Sequence, residues 1–350
     1  MTRKKIRVLV IDDSAVVRHL LTEILNQTGD IEVVGTAQDP IFALSKIQNL
    51  EPDVLTLDVE MPRMDGLAFL EQLMSTRPLP VIMVSALTHR GCETTLKALE
   101  LGAVDFVEKP GSDITNGITR LSEEIVSKIR VAAQVTVRAR HRTPPLERSR
   151  PLSRQFDPQR MATTDTMIAI GASTGGTQAL TAIIAALPEE TPGIVVVQHM
   201  PPVFTRSFAE RLDTLSRVDV KEASSGDRIV RGMVLIAPGG VHMTVVRRGA
   251  LYYTELMDGP PVNFVKPSVD VLFRSVAREA GKNAVGVILT GMGEDGARGL
   301  LAMKQAGAAT LAQDEASSIV FGMPRKAIEL GAADTVASLD GIAAFLAGRR

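Results

Sequence analysis

The stretch Ile168–Thr177, IAIGASTGGT, decides how the second half of the chain is read. Its glycines either cradle a phosphate or form a turn that presents Ser173 as a nucleophile. A phosphate loop of the Walker type needs lysine followed by serine or threonine after its last glycine, and GGTQAL supplies neither. A dinucleotide fingerprint needs GxGxxG, whereas Gly171, Gly175 and Gly176 have a different spacing. Gly171, Ser173 and Gly175 do fit GxSxG, between the apolar run TMIAI and a helical stretch from Gln178 to Leu187. In that context small neighbours permit a tight bend, and a helix amino terminus favours developing negative charge. A plain glycine-rich turn remains the competing explanation.

Around this motif the text alternates between buried strands and helices. TMIAIGA, GIVVVQHM, AVGVILTG and AATLAQ read as parallel strands, and GMVLIAP, HMTVVRR and ALYYTEL as antiparallel strands added at an edge. Five histidines are present, and two of them, His199 and His242, lie in this half. His199 directly follows a buried strand and suits a general base; His242 opens an edge strand and suits a half-buried sheet position or a substrate contact. Asp295, in the glycine-rich loop after AVGVILTG, is the candidate orienting carboxylate, with Asp258 and Asp270 as competitors. Ser173, His199 and Asp295 would all stand beyond the carboxyl ends of parallel strands, where one crevice can hold them for acyl transfer. Their chain order differs from that of α/β-hydrolases.

The amino-terminal half shows the same alternation. IRVLVID, IEVVGT, DVLTLDV, LPVIMVSA and AVDFVEK each precede an amphipathic segment, which predicts a second doubly wound parallel sheet. Asp12 and Asp13 end the first strand, Asp58 the third, Ser85 the fourth and Lys109 the fifth. Carboxylates brought together there repel unless a cation intervenes, and Mg²⁺ prefers oxygen ligands. A lysine and a hydroxyl beside them suit an incoming phosphoryl group. The competing explanation makes Asp12 and Asp13 helix caps and Asp58 a turn residue.

The chain has 350 residues, enough for two α/β domains, and 39 basic against 40 acidic residues leave a net charge of −1. That balance gives no reason to expect nucleic acid, and no run reaches the roughly 18 to 20 apolar residues of a membrane span. A single cysteine and the absence of a signal-peptide pattern point to the cytoplasm. The expected domains are 1–130, a basic Pro/Arg linker at 131–160, and 161–350.

The motifs IDDS, LTLDVEMPRMDG, VSA and EKP resemble the receiver domain of response regulators. IGASTGGTQAL, VVQHMPPVFTRSFAERL, LIAPGGVHM, PSVDVLFRSVA and VGVILTGMGEDGA resemble the catalytic domain of the chemotaxis protein-glutamate methylesterases, the CheB family. The first resemblance implies Asp58 as phosphoacceptor, Asp12 and Asp13 as Mg²⁺ ligands with Asp58, Lys109 as phosphate partner and Ser85 as switch hydroxyl. The second implies Ser173, His199 and Asp295 as a triad, the Met292 amide as an oxyanion donor and Thr174 as a neighbouring site residue, with no cofactor for the ester chemistry. Glu294 departs from the neutral asparagine of familiar members. The implied activity is demethylation of glutamate methyl esters and deamidation of glutamines on chemoreceptors, with a histidine kinase as phosphodonor. The unphosphorylated receiver is expected to cover the Ser173 crevice. The chain is expected to act as a monomer, without nucleic acid or membrane insertion. Two other classes remain: a regulator whose carboxyl half only binds anions at GASTGG, and a DNA-binding regulator, which lacks a basic recognition helix.

Overall fold

The computed structural model describes residues 5–59, 61, 66–86, 88–109, 114–135, 137 and 166–348. The chain divides into two compact units, Met1–Pro144 and Pro145–Arg350. Most of the stretch read as a linker lies outside the described residues.

In the first unit β1 (Ile6–Ile11), β2 (Ile31–Ala37), β3 (Val54–Asp58), β4 (Val81–Ser85) and β5 (Asp105–Glu108) alternate with helices. These are α1 (Ala15–Asn26), α2 (Pro40–Leu50), α3 (Gly66–Thr76), α4 (His89–Leu101) and α5 (Ile114–Ala132), the last reaching into the span read as linker. The strands form one parallel sheet in the order β2-β1-β3-β4-β5. Every residue of β3 and β4 is buried, which accounts for their unbroken apolar text. The winding direction reverses between β1 and β3, so a crevice opens beyond their carboxyl ends.

The second unit contains β6 (Met167–Ala172), α6 (Gly176–Ala186), β7 (Ile194–Gln198), α7 (Phe204–Leu215), β8 (Asp219–Glu222), β9 (Met233–Ile236), β10 (His242–Arg248) and β11 (Leu251–Met257). There follow α8 (Val269–Glu279), β12 (Ala284–Ile288), α9 (Ala297–Gln305), β13 (Ala309–Gln313), α10 (Met323–Glu329), β14 (Thr335–Ala337) and α11 (Leu339–Ala347). Seven strands form a parallel sheet in the order β14-β13-β12-β6-β7-β9-β8. β6 is fully buried between β12 and β7, at the point where the winding reverses. Both units are therefore the expected α/β parallel-sheet folds.

The expected antiparallel edge needs correction. GMVLIAP contains β9, which runs parallel between β7 and β8. The physical reason is the ten-residue connection from β8, residues 223–232, which crosses the hairpin instead of turning back on itself. Its Gly226 and Ile229 amides donate to Thr254 and Tyr252 of β11 at 2.8 and 3.0 Å, so the chain re-enters the sheet in its original direction. β10 and β11 do pair antiparallel, as a separate two-stranded sheet. That hairpin packs its Met243, Val245 and Tyr252 on Val269, Leu272, Phe273 and Val276 of α8. Each of these α8 side chains is fully buried, worth roughly 1.5–3 kcal/mol apiece relative to exposure. The packing fixes α8 against the sheet, with its amino terminus at the end of β6.

Candidate functional site

At the carboxyl end of the first sheet, Asp12 and Asp58 are buried and Asp13 is exposed, with carboxylate oxygens all within 4.8 Å of one another. Lys109 Nζ spans the pocket, 2.9 Å from Asp12 Oδ2 and 2.8 Å from Asp58 Oδ2. Burial works against the charge on Lys109, but the hydrogen bonds it donates to Asp58 and Asp12 prevail and raise its pKa. Ser85 is buried at the end of β4, with its Oγ 3.4 Å from the Gly91 carbonyl oxygen. The cap of α1 is Ser14, whose hydroxyl accepts from the Val17 amide; Asp12 Oδ1 accepts from the Ser14 amide at 2.8 Å. Asp12 thus steadies the turn into α1 as well as joining the cluster. Three closely set carboxylates form an oxygen donor set of the kind a divalent cation such as Mg²⁺ takes.

In the second unit three neighbouring strand ends converge. The His199 amide donates to the Ala172 carbonyl at 3.1 Å, and the Ser173 amide to the Thr290 carbonyl at 3.0 Å. These two bonds tie the residue after β7 and the loop after β12 to either side of the end of β6. Gly175 has φ +77° and caps α6, a backbone conformation that suits glycine. A Cβ on Gly291 would lie 2.7 Å from Ser173 Cβ, so the 291–295 loop lies directly against the serine. Gly291 is itself held by the 320–323 segment: its amide donates to Val320, and its carbonyl accepts from Gly322 and Met323. Met292 follows in that loop, half-buried. Thr174 is buried, its carbonyl accepting from Thr290 Oγ1 at 2.9 Å.

His199 Nε2 donates to Asp295 Oδ2 at 2.9 Å. The bond fixes the ring with its proton on Nε2 and leaves Nδ1 as the basic nitrogen. This is the reverse of the serine-protease template, in which the carboxylate takes the Nδ1 proton.

Asp295 is buried but well supplied with donors. Oδ2 also accepts from the Val269 amide at 2.6 Å; Oδ1 accepts from Ser268 Oγ at 2.7 Å, Asn263 Nδ2 at 2.8 Å and the Asp270 amide at 3.3 Å. The carboxylate therefore sits on the amino terminus of α8, where the helix dipole and unpaired amides favour an anion. Burial alone would push its pKa up; hydrogen bonds from His199, Asn263 and Ser268 bring it below the usual carboxylate range.

The competing candidates lie differently. Asp258 is an exposed partner of Lys266 at 2.8 Å. His242 is buried in β10, where Nε2 donates to the Pro260 carbonyl at 3.0 Å and Nδ1 accepts the Ser268 amide at 3.1 Å. It is a strut for the 258–268 loop. Glu294 is exposed beside the buried Asp295. Asp270 is a helix residue, as expected, but it also faces the site: its Oδ2 accepts from Asn263 Nδ2 at 3.1 Å. The sequence reading passed over Asn263 and Ser268. Ser268 had a signal in the capping pattern that opens α8, whereas nothing local marks Asn263.

Residues 168–346 match the family described as CheB methylesterase, and residues 8–119 match the response regulator receiver domain. The chain belongs to the CheB methylesterase family. A relative in Xanthomonas oryzae pv. oryzae, named protein-glutamate methylesterase/protein-glutamine glutaminase 2, is 56% identical over 97% of this chain and 95% of its own length. A relative in Geobacter metallireducens, named protein-glutamate methylesterase/protein-glutamine glutaminase 1, is 54% identical over 97% of this chain and 94% of its own length. The crystal structure of the Thermotoga maritima CheB methylesterase catalytic domain is 41% identical with a TM-score of 0.51, covering 52% of this chain and 97% of that domain. No helix among the described residues is long and apolar enough to cross a membrane.

Proposed function

We propose that the chain is a phosphorylation-activated hydrolase of the cytoplasm that demethylates glutamate γ-methyl esters on chemoreceptors and deamidates specific receptor glutamines. The observation that carries this reading is the 2.9 Å bond from His199 to Asp295 at a strand end adjoining Ser173. His199 Nδ1 takes the Ser173 proton as Oγ attacks the side-chain carbonyl carbon. The oxyanion that forms is stabilised by the Met292 amide, with Thr174 beside it; loss of one such donor costs about 10²-fold to 10³-fold in rate. Collapse expels methanol, or ammonia from glutamine, carrying the proton from His199. Water then adds by the same route, releases glutamate and restores Ser173. An ester needs less help to expel its leaving group than an amide, so esterase activity exceeds deamidase activity.

In the receiver, Asp58 takes a phosphoryl group from a histidine kinase. A Mg²⁺ ion held by Asp12, Asp13 and Asp58 would neutralise charge on the phosphoryl oxygens. Lys109 exchanges its bond to Asp58 for one to a phosphoryl oxygen, and the Ser85 hydroxyl turns towards another. The unphosphorylated receiver restrains the catalytic unit, which acts as a monomer.

The test is methanol release from methylated receptor membranes by wild type, Ser173→Ala and Asp58→Ala, with and without Mg²⁺ and a small phosphodonor. Release should vanish in Ser173→Ala and rise with phosphodonor only where Asp58 is present. Full release by Ser173→Ala would overturn the triad, and activation of Asp58→Ala would overturn the phosphoacceptor. Deletion of residues 1–160 should raise basal release; no change would remove the restraint.

A further inference from the structure

We propose that Asn263 and Asp270 are positioning residues that hold Asp295 in the orientation in which it engages His199. The proposal rests on the triad reading above.

One nitrogen joins the two buried carboxylates: Asn263 Nδ2 lies 2.8 Å from Asp295 Oδ1 and 3.1 Å from Asp270 Oδ2. The helices bearing on these acids are capped reciprocally. Asp295, two residues before α9, accepts the first amides of α8, while Asp270 in α8 accepts the Gly299 amide of α9 at 2.6 Å. Rotation of either carboxylate would orphan amides at the other helix, so the pair is stiff.

The backbone supports the same conclusion. Val262 and Val265 exchange amide hydrogen bonds of 3.1 Å each around Asn263 and Phe264, whose φ values are +53° and +66°. This is the two-residue turn with both central residues left-handed. Asparagine tolerates that conformation, but phenylalanine at the second position is strained in it, and Phe264 is fully exposed, burying nothing in return. Strain of this kind gathers at functional sites. Here it serves to aim the Asn263 amide inward.

The two acids also differ in their hold on a proton. Burial, above all, raises the pKa of Asp270; the Gly299 amide opposes it and the charge of Asp295 adds to it. Asp295 is lowered. A proton entering the pair therefore settles on Asp270 and leaves Asp295 ionised for His199. The groups around Asp270 are Arg274 on its own helix at 3.7 Å, Asp295 before α9, and His199 beyond Asp295.

The test uses the full chain with Asn263→Gly, which keeps the left-handed backbone unstrained, and Asp270→Asn, with Phe264→Gly as a turn control and Ser173→Ala as an activity control. Rates of methyl-ester hydrolysis are followed across pH. Asn263→Gly should lower kcat by up to about 10²-fold, the scale of loss when a reacting group is misplaced by ~1 Å, with KM little changed. In Asp270→Asn the acid limb of kcat/KM should move to lower pH, because the variant removes a negative charge joined through Asn263 to the Asp295–His199 pair. The limb position is independent of how much enzyme folds. Wild-type kcat in Asn263→Gly together with an unmoved limb in Asp270→Asn would overturn the proposal while Ser173→Ala stayed inactive. Activity in Ser173→Ala would instead overturn the triad beneath it.

Discussion

Gly171 and Val269 stand so close that a Cβ on the glycine would lie 2.2 Å from Val269 Cγ1. The contact presses the amino terminus of α8 on the end of β6, and so places the amides that hold Asp295 next to Ser173. The first glycine of GASTGG is thus a spacing requirement between helix and strand. Gly171→Ala should destabilise the second unit by about 1–3 kcal/mol through overpacking, and should reduce esterase activity even in the folded fraction. Thermal unfolding and methanol release on the same preparation check both. An alanine variant as stable and active as wild type would refute the close approach.

Asp295→Asn should lower kcat about 10³-fold to 10⁴-fold, as an amide in this position favours the wrong imidazole tautomer. Its stability should show a particular pH dependence. The folded-state pKa of Asp295 is depressed, so its stabilising contribution is fully present above about pH 4 and is lost as pH falls through the folded value. The stability difference between wild type and Asp295→Asn should therefore shrink between pH 7 and pH 3. Chemical denaturation at the two values measures it.

The two histidines of the second unit should separate cleanly. His242→Ala leaves the buried Ser268 amide without its acceptor, at about 1–3 kcal/mol, and releases the carbonyl of the exposed Pro260 to solvent. It should lower the melting temperature and retain measurable turnover below it. His199→Ala should melt close to wild type and hydrolyse no ester. The opposite pattern would exchange base and strut.

Cys92 provides an independent probe of the first unit. Burial, with the charge of Glu108 adding, pushes its thiol up to about 11, so little thiolate exists at neutral pH. An aromatic disulfide reagent at pH 7.5 should find no reactive thiol in the native chain and one per chain in denaturant, since there is a single cysteine. Rapid reaction in the native state would contradict the burial.

That Ser173, His199 and Asp295 stand past strand ends was legible because each comes after a run of apolar residues, and a run buried on both faces announces where a strand ends. The placement of the receiver acids was legible for the same reason. The direction of β9 was not: MVLI is only four residues long, and its orientation depends on how the preceding loop crosses the hairpin. β8, DVKE, is a polar edge strand whose text gives little strand signal. Asn263 escaped notice because its role arises only when α8 and α9 meet; before folding it is one more polar residue in a proline-rich loop. His242 could be placed on a strand from its neighbours, but its bond to the Ser268 amide is 26 residues away in the chain.

The hairpin that braces α8 also determines how this protein can be observed. The chain has no tryptophan and only two tyrosines, Tyr252 and Tyr253, adjacent in β11 with Arg247 and Arg248 beside their rings. Ultraviolet emission from tyrosine consequently originates within one strand of the catalytic unit, and the receiver contributes none. Any change in that emission on adding a phosphodonor is a signal received by the esterase, free of background from the half that accepts the phosphate.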